Sequence, residues 1–95
     1  MSGAAESCRA DVWLWRARFC KTRGLAAQIC EEGRVRLTRL GVESRLDKPA
    51  RSLRVGDELV FALGGRVSAV RIEALGERRG PPAEARGLYS PLEKS

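Results

Sequence analysis

The hydrophobic period of this 95-residue chain changes at Gly33, and that change constrains the fold more than any other feature. Before Gly33 the apolar residues recur at helical spacing, and after it they alternate with polar ones. Asp11 is a good N-cap, and the run from Val12 to Cys20 contains neither Gly nor Pro, which predicts a first helix over residues 12–20. Its apolar residues form no single stripe: Trp13, Ala17 and Cys20 share one side, while Trp15 and Phe19 lie with Val12 near the other. Lys21-Thr22-Arg23-Gly24 is a polar break. Thr22 is placed to cap a second helix through about Glu32, with Leu25, Ala26 and Ile29 as its apolar face and Gly33 as its left-handed stop. Two helices joined so closely make a helical hairpin or a helix-turn-helix.

Beyond Gly33, Val35 and Leu37 alternate with Arg34 and Arg36 and predict an edge strand. Residues 38–50 read as loop, followed by a short strand near Ser52–Val55 and a turn at Gly56-Asp57. The next strand points Leu59, Phe61 and Leu63 inward, Gly64-Gly65 makes a hairpin turn, and Val67–Leu75 returns with Val70 and Ile72 inward. A slip in the alternation at Ser68-Ala69 predicts a bulge. Gly76–Pro82 breaks the sheet, Ala83–Tyr89 has room for one or two helical turns, and the residues from Pro91 read as frayed. The order, two helices and then a meander, defines the α+β class. The length suits one domain, with a disordered lead over 1–8, the domain over 9–76 and a tail over 77–95 that has room for a short helix.

Charge is unevenly spread. The net charge is +6, and residues 9–39 hold eight Lys/Arg against three acids, whereas residues 40–95 hold ten against eight. A localised basic surface suits polyanions, nucleic acid before an acidic membrane. No run of about 18 apolar residues exists to span a bilayer, and the N-terminus lacks the basic-then-apolar pattern of a signal peptide. Three cysteines, Cys8, Cys20 and Cys30, form no close pair and point to a reducing compartment, with Cys20 and Cys30 as small buried hydrophobes. With no histidine and no Cys-x-x-Cys, a zinc site lacks ligands, and no metal or other cofactor is expected.

Lys21 and Arg23 flank the start of the second helix, where unpaired N–H groups favour phosphate. Arg18 projects beside them from one turn earlier, and Arg9, Arg16, Thr22, Gln28, Arg34, Arg36 and Lys48 extend the expected nucleic-acid-binding surface. These are read as phosphate clamps, not base readers. Competing readings stand beside them: Arg9 paired with Asp11, Gln28, Arg34, Arg36 and Arg39 merely solvated, Trp13 as core, and Trp15 as either packing or a stacking partner. A winged helix-turn-helix DNA binder shares the same element order. Autonomous catalysis is not expected, because the chain offers no His for acid–base work, no Ser-His-Asp set and no phosphate-binding Gly-rich loop ending in Lys-Ser/Thr.

Arg9-Ala-Asp11, Leu14, Phe19, Thr22-Arg23, Ala26, Ile29, Gly33 and Val35 resemble the S-four (S4) RNA-binding domain. Within it, Trp13-Leu-Trp15, Arg18-Phe19, Lys21-Thr22-Arg23, Lys48-Pro49, Gly56-Asp57, Glu77-Arg-Arg79, Ala83-Glu-Ala85 and Leu88-Tyr89 are similar to the ribosome-associated heat shock protein fifteen family, over about four-fifths of the chain. The resemblance implies an αL-type RNA-binding motif: two N-terminal helices on a small twisted, mainly antiparallel sheet of four or so strands. It implies a bacterial, cytoplasmic, monomeric protein that binds structured RNA, ribosomal or transfer, with ribosomal proteins as further contacts. It also implies association with large subunits stalled during translation. Three departures stand out. Thr38–Leu46 is longer than the family's tight turn and lacks Asn-Gly, Val12 replaces a frequent lysine, and the long basic C-terminal extension of the best-known members has no counterpart in these residues.

Overall fold

The computed structural model describes residues 6–92. The elements run β1 (Cys8–Arg9), α1 (Ala10–Arg16), α2 (Arg23–Glu31), β2 (Val35–Arg39), β3 (Val42–Leu46), β4 (Ser52–Leu53), β5 (Glu58–Leu63), β6 (Arg66–Ile72), α3 (Pro82–Ala85), a 3-10 turn (Arg86–Leu88) and β7 (Tyr89–Pro91). The α+β class holds, but the sheet is larger than four strands: five antiparallel strands in the order β3-β2-β5-β6-β7, with β1 and β4 forming a separate antiparallel pair. The core joins Trp13, Leu14 and Ile29 from the helices to Val35, Leu37, Leu59, Phe61, Val70 and Ile72 from the sheet.

Helix α1 is shorter than expected and starts earlier. Arg9, in extended backbone, is the N-cap, and Asp11 lies inside the first turn. The Ala10 and Asp11 N–H groups donate to Arg51 O (2.9 Å) and Pro49 O (3.1 Å), so the loop before β4 does the capping that the Asp11 side chain was expected to do. The helix stops at Arg18, whose φ is 66°. Arg18 N donates to Trp15 O (3.1 Å) and Phe19 N to Leu14 O (3.1 Å), the paired bonds of a Schellman motif. Helix α2 follows expectation more closely. The Thr22 hydroxyl accepts from Leu25 N at 3.0 Å, and Gly33, at φ 72°, closes a second Schellman motif through Gly33 N to Cys30 O and Arg34 N to Ile29 O.

Strand β2 is not an edge. It lies between β3 and β5, and the segment expected as loop over 38–50 supplies β3. Arg39 pairs with Val42 across a two-residue turn in which Leu40 and Gly41 both take positive φ (53° and 81°). The strand was hidden because only Leu46 of its five residues is buried, which leaves no alternation to read. The expected bulge is also absent, since β5 and β6 keep one register from Glu58–Arg71 to Leu63–Arg66. Val67, 72% exposed, lies on an uncovered stretch of the sheet, and its apolar character produced the apparent slip.

The C-terminal segment is part of the fold. The expected short helix is present, but β7 then pairs with β6 (Ile72–Tyr89, Arg71–Ser90, Val70–Pro91), so Pro91 is in a strand and not frayed. Leu88 is buried in the core, and Phe19 packs on Phe61 and Tyr89 at ring separations of 4.9 and 4.6 Å. At the other end, within the expected disordered lead, Cys8 lies in β1, Glu6 and Ser7 are exposed and outside any element, and residues 1–5 fall outside the described residues. No helix among the described residues is long and apolar enough to cross a membrane.

Candidate nucleic-acid interface

The junction between α1 and α2 gathers the strongest cationic feature. Lys21, Thr22, Arg23, Gly24 and Leu25 are consecutive exposed residues, and Arg18 is exposed just before them. The Thr22 hydroxyl is committed to capping α2, while the first N–H groups of the helix, from Arg23 and Gly24, have no intrahelical acceptor. Among the described residues no carboxylate comes within ion-pair distance of Arg18, Lys21 or Arg23.

Most of the other expected contacts are engaged inside the protein. Arg9 grips Asp11 with two bonds of 3.0 Å, which pushes its guanidinium pKa up. Arg34 pairs with Glu32 (3.4 Å) and Arg36 with Glu43 (3.5 Å), and Gln28 donates to Glu32 (3.0 Å). Arg34, Arg36, Gln28 and their acidic partners are exposed, so those pairs are weak and exchangeable, whereas Asp11 is buried and keeps Arg9 tied to the fold. Lys48 is exposed in the loop before Pro49. Arg16 stands apart from the surface on which it was expected. Its terminal nitrogen donates to Gly76 O (2.9 Å) and Leu75 O (3.4 Å), and its buried Nε has no protein partner, so it acts as a tie inside the fold. Arg39 is likewise structural. It holds Asp57, 3% exposed, with bonds of 2.9 and 2.7 Å, and Asp57 also accepts from Arg54 N at 2.9 Å. The hydrogen bond to Asp57 raises the Arg39 pKa.

Sequence reasoning did not place the segment 74–80, which crosses α1 and is pinned there from both sides. Trp13 Nε1 donates to Ala74 O (2.9 Å), Arg18 Nε to Gly80 O (2.7 Å) and Arg79 Nε back to Trp15 O (3.0 Å). The Arg79 guanidinium also lies 5.9 Å from the centre of the half-buried Trp15 ring. Trp13 is core, and the half-buried Trp15 lies against the Arg79 guanidinium. Arg79 could have been found only through the tail signature, because a Gly-Glu-Arg-Arg-Gly run carries no periodicity.

Burial pushes the Cys20 thiol up to about 11 and Cys30 up to about 12, so both are inert hydrophobes at neutral pH. Among the described residues no three His, Cys, Asp or Glu side chains gather where they could hold a metal ion.

The S4 domain family matches residues 8–37, which run from β1 through both helices into β2. The chain is 34% identical to heat shock protein 15 of Escherichia coli over 91 residues, covering 96% of this chain and 65% of that protein. It is 31% identical to the RQC P-site tRNA stabilizing factor of Listeria innocua over 90 residues, covering 95% of this chain and 91% of the relative. The trimeric structure of Vibrio cholerae heat shock protein 15 superimposes with a TM-score of 0.81 at 34% identity, over 92% of this chain and 83% of that one. Fold and junction together define an S4-domain protein. Within that class the chain belongs to the heat shock protein 15 family, and it spans about two thirds of the length of the Escherichia coli member.

Proposed function

We propose that this protein binds structured RNA through the α1–α2 junction, with Arg18, Lys21 and Arg23 as its central phosphate contacts. The observation that carries this reading is the cluster: these three exposed cations gather at one helix start with no carboxylate partner among the described residues, whereas their neighbours on this surface, Arg9, Arg34 and Arg36, each have one. Arg9, Arg34, Arg36, Gln28 and Lys48 form the outer part of the same surface; Arg34, Arg36 and Gln28 exchange their exposed partners for phosphate on binding, and Arg9 contributes while still held by buried Asp11. The protein acts as a cytoplasmic binder and not as a catalyst, and it meets RNA as a monomer, although its Vibrio cholerae relative is trimeric. Its target is ribosomal RNA of the large subunit, in a ribosome-rescue role supported by the heat shock and P-site tRNA names of its relatives. A transfer-RNA target is the second reading, favoured by the Listeria innocua factor because the chain covers nearly all of that relative.

The test is binding to a ribosomal RNA fragment, a tRNA transcript and a DNA duplex at matched salt. If about four phosphates are neutralised, log K falls against log salt with a slope of about −3 to −4. Lys21→Glu combined with Arg23→Glu abolishes RNA binding and leaves the circular dichroism spectrum intact, since neither side chain has a fold contact to lose. Equal affinity for duplex DNA, or unchanged affinity in the double variant, overturns the reading.

A further inference from the structure

We propose that Arg79 is a second arm of the RNA site, forming with Arg18 a preorganised fork for a backbone phosphodiester. This rests on the RNA-binding reading above and extends it to a residue 61 positions further along the chain. The main chain of Arg18 and the side chain of Arg79 meet at one carbonyl, and the Arg18 side chain reaches the residue next to Arg79. Trp15 O accepts Arg18 N at 3.1 Å and Arg79 Nε at 3.0 Å, and the neighbouring Gly80 O accepts Arg18 Nε at 2.7 Å. Each guanidinium is therefore anchored through Nε, the stem end of its fork. Among the described residues the terminal nitrogens of both make no hydrogen bond and no ion pair. A guanidinium has five N–H donors, so the edge that matches a phosphate bidentately remains free on each.

Two further facts favour a ligand over a purely structural tie. The adjacent arginines are satisfied differently: Arg78 pairs with Glu84 at 3.3 Å, and Arg16 directs a terminal nitrogen to Gly76 O. Only Arg18 and Arg79 combine Nε anchoring with free terminal nitrogens at the α1–α2 junction. Trp15 also lies against the Arg79 guanidinium, which limits the rotation of that fork before any ligand arrives. Like charges anchored at the same turn without a carboxylate repel each other, and a bridging anion removes that repulsion. The chemistry selects a phosphodiester oxygen and carries no base preference.

The probe is a fluorescein-labelled tRNA transcript, titrated between about 50 and 200 mM salt, the range over which phosphate contacts dominate affinity. Arg79→Gln should weaken binding about tenfold and make the salt slope shallower by about 0.7 to 0.9, the share of one phosphate. Arg79→Lys should restore most of the slope, and Arg78→Gln should leave it unchanged. A structural role alone lowers affinity without moving the slope, so an unchanged slope in Arg79→Gln overturns the fork. Should that variant fail to fold, the Arg79 Nε–Hε resonance of the unmodified protein decides: a shift on adding the transcript supports the fork, and no shift overturns it. Failure of the unmodified protein to bind the transcript or a ribosomal RNA fragment overturns both the fork and the reading beneath it. Binding with a normal slope and an insensitive Arg79 overturns the fork alone.

Discussion

Arg18→Gly separates the cost of a backbone conformation from the value of a side chain. Arg18 occupies the left-handed position of the Schellman motif that ends α1, at φ 66°, and glycine fills the same position at the end of α2, at φ 72°. A left-handed backbone costs an L-residue roughly 1–2 kcal/mol, which glycine avoids. Against that gain stand the part-buried hydrogen bond to Gly80 O, about 0.5–1.5 kcal/mol, and the extra freedom of glycine in the unfolded chain, about 0.5–1 kcal/mol. The terms nearly cancel, so Arg18→Gly should change unfolding stability by less than about 1 kcal/mol. RNA affinity should fall about tenfold, because a charge-assisted contact is lost with nothing to replace it. Urea unfolding followed by tryptophan fluorescence reads the first quantity, and anisotropy of a labelled transcript reads the second. A loss of stability above about 2 kcal/mol would show that arginine is kept there for the fold, because it exceeds any balance of these terms. Unchanged affinity would refute the phosphate contact.

Leu40 is 96% exposed and left-handed in the β2–β3 turn, so Leu40→Asn should stabilise the protein by about 0.5–1 kcal/mol in urea melts, part of the strain a left-handed non-glycine residue carries. Asp57→Ala strips Arg39 and the Arg54 N–H of a buried acceptor and should cost about 2–4 kcal/mol by the same assay. Cys20 and Cys30 hold their protons in the fold up to about 11 and about 12, against 9.0 ordinarily. Below pH 9 both states are protonated and nothing is lost. Above it the unfolded chain releases protons that the fold retains, so stability should drop from about pH 9 upward, and replacing both cysteines by alanine should flatten that slope in pH-dependent melts. A chain ending at Gly76 loses β7, buried Leu88 and the Arg18 and Arg79 ties, and it should melt well below the intact protein by calorimetry.

The parts legible in the sequence were those whose signal is local. Thr22 before an apolar run, Gly33 after it, and Gly64-Gly65 between alternating strands each state their own geometry within a few residues. The illegible parts depend on distant partners. The expected cap at Asp11 failed because the N–H groups of the first turn find carbonyls of Pro49 and Arg51, some forty residues away. Strand β3 was missed because four of its five side chains avoid the core, and β7 because a three-residue strand carries no period. Within the site, the exposed cluster at Lys21 and Arg23 was readable from spacing, but spacing could not distinguish Arg16 from Arg18. They differ by two residues, and the left-handed turn at Arg18 redirects the chain, so one side chain runs inward to Gly76 and the other remains exposed.

That redirection also explains why the signature of this family spreads over the whole chain while the S4 domain match covers residues 8–37. The match contains the helices and the cationic junction, but it does not contain what holds the end of α1 in place. Trp13, Arg16 and Arg18 each donate to a backbone carbonyl between Ala74 and Gly80, and Arg79 returns a bond to Trp15 O. The acceptors are main-chain atoms that any residue supplies, whereas each donor needs its own side chain. The last turn of α1, the left-handed Arg18 and the segment 74–80 therefore behave as one mechanical unit. A change in the tail reaches the α1–α2 junction through Gly80 and Trp15, without passing through the sheet.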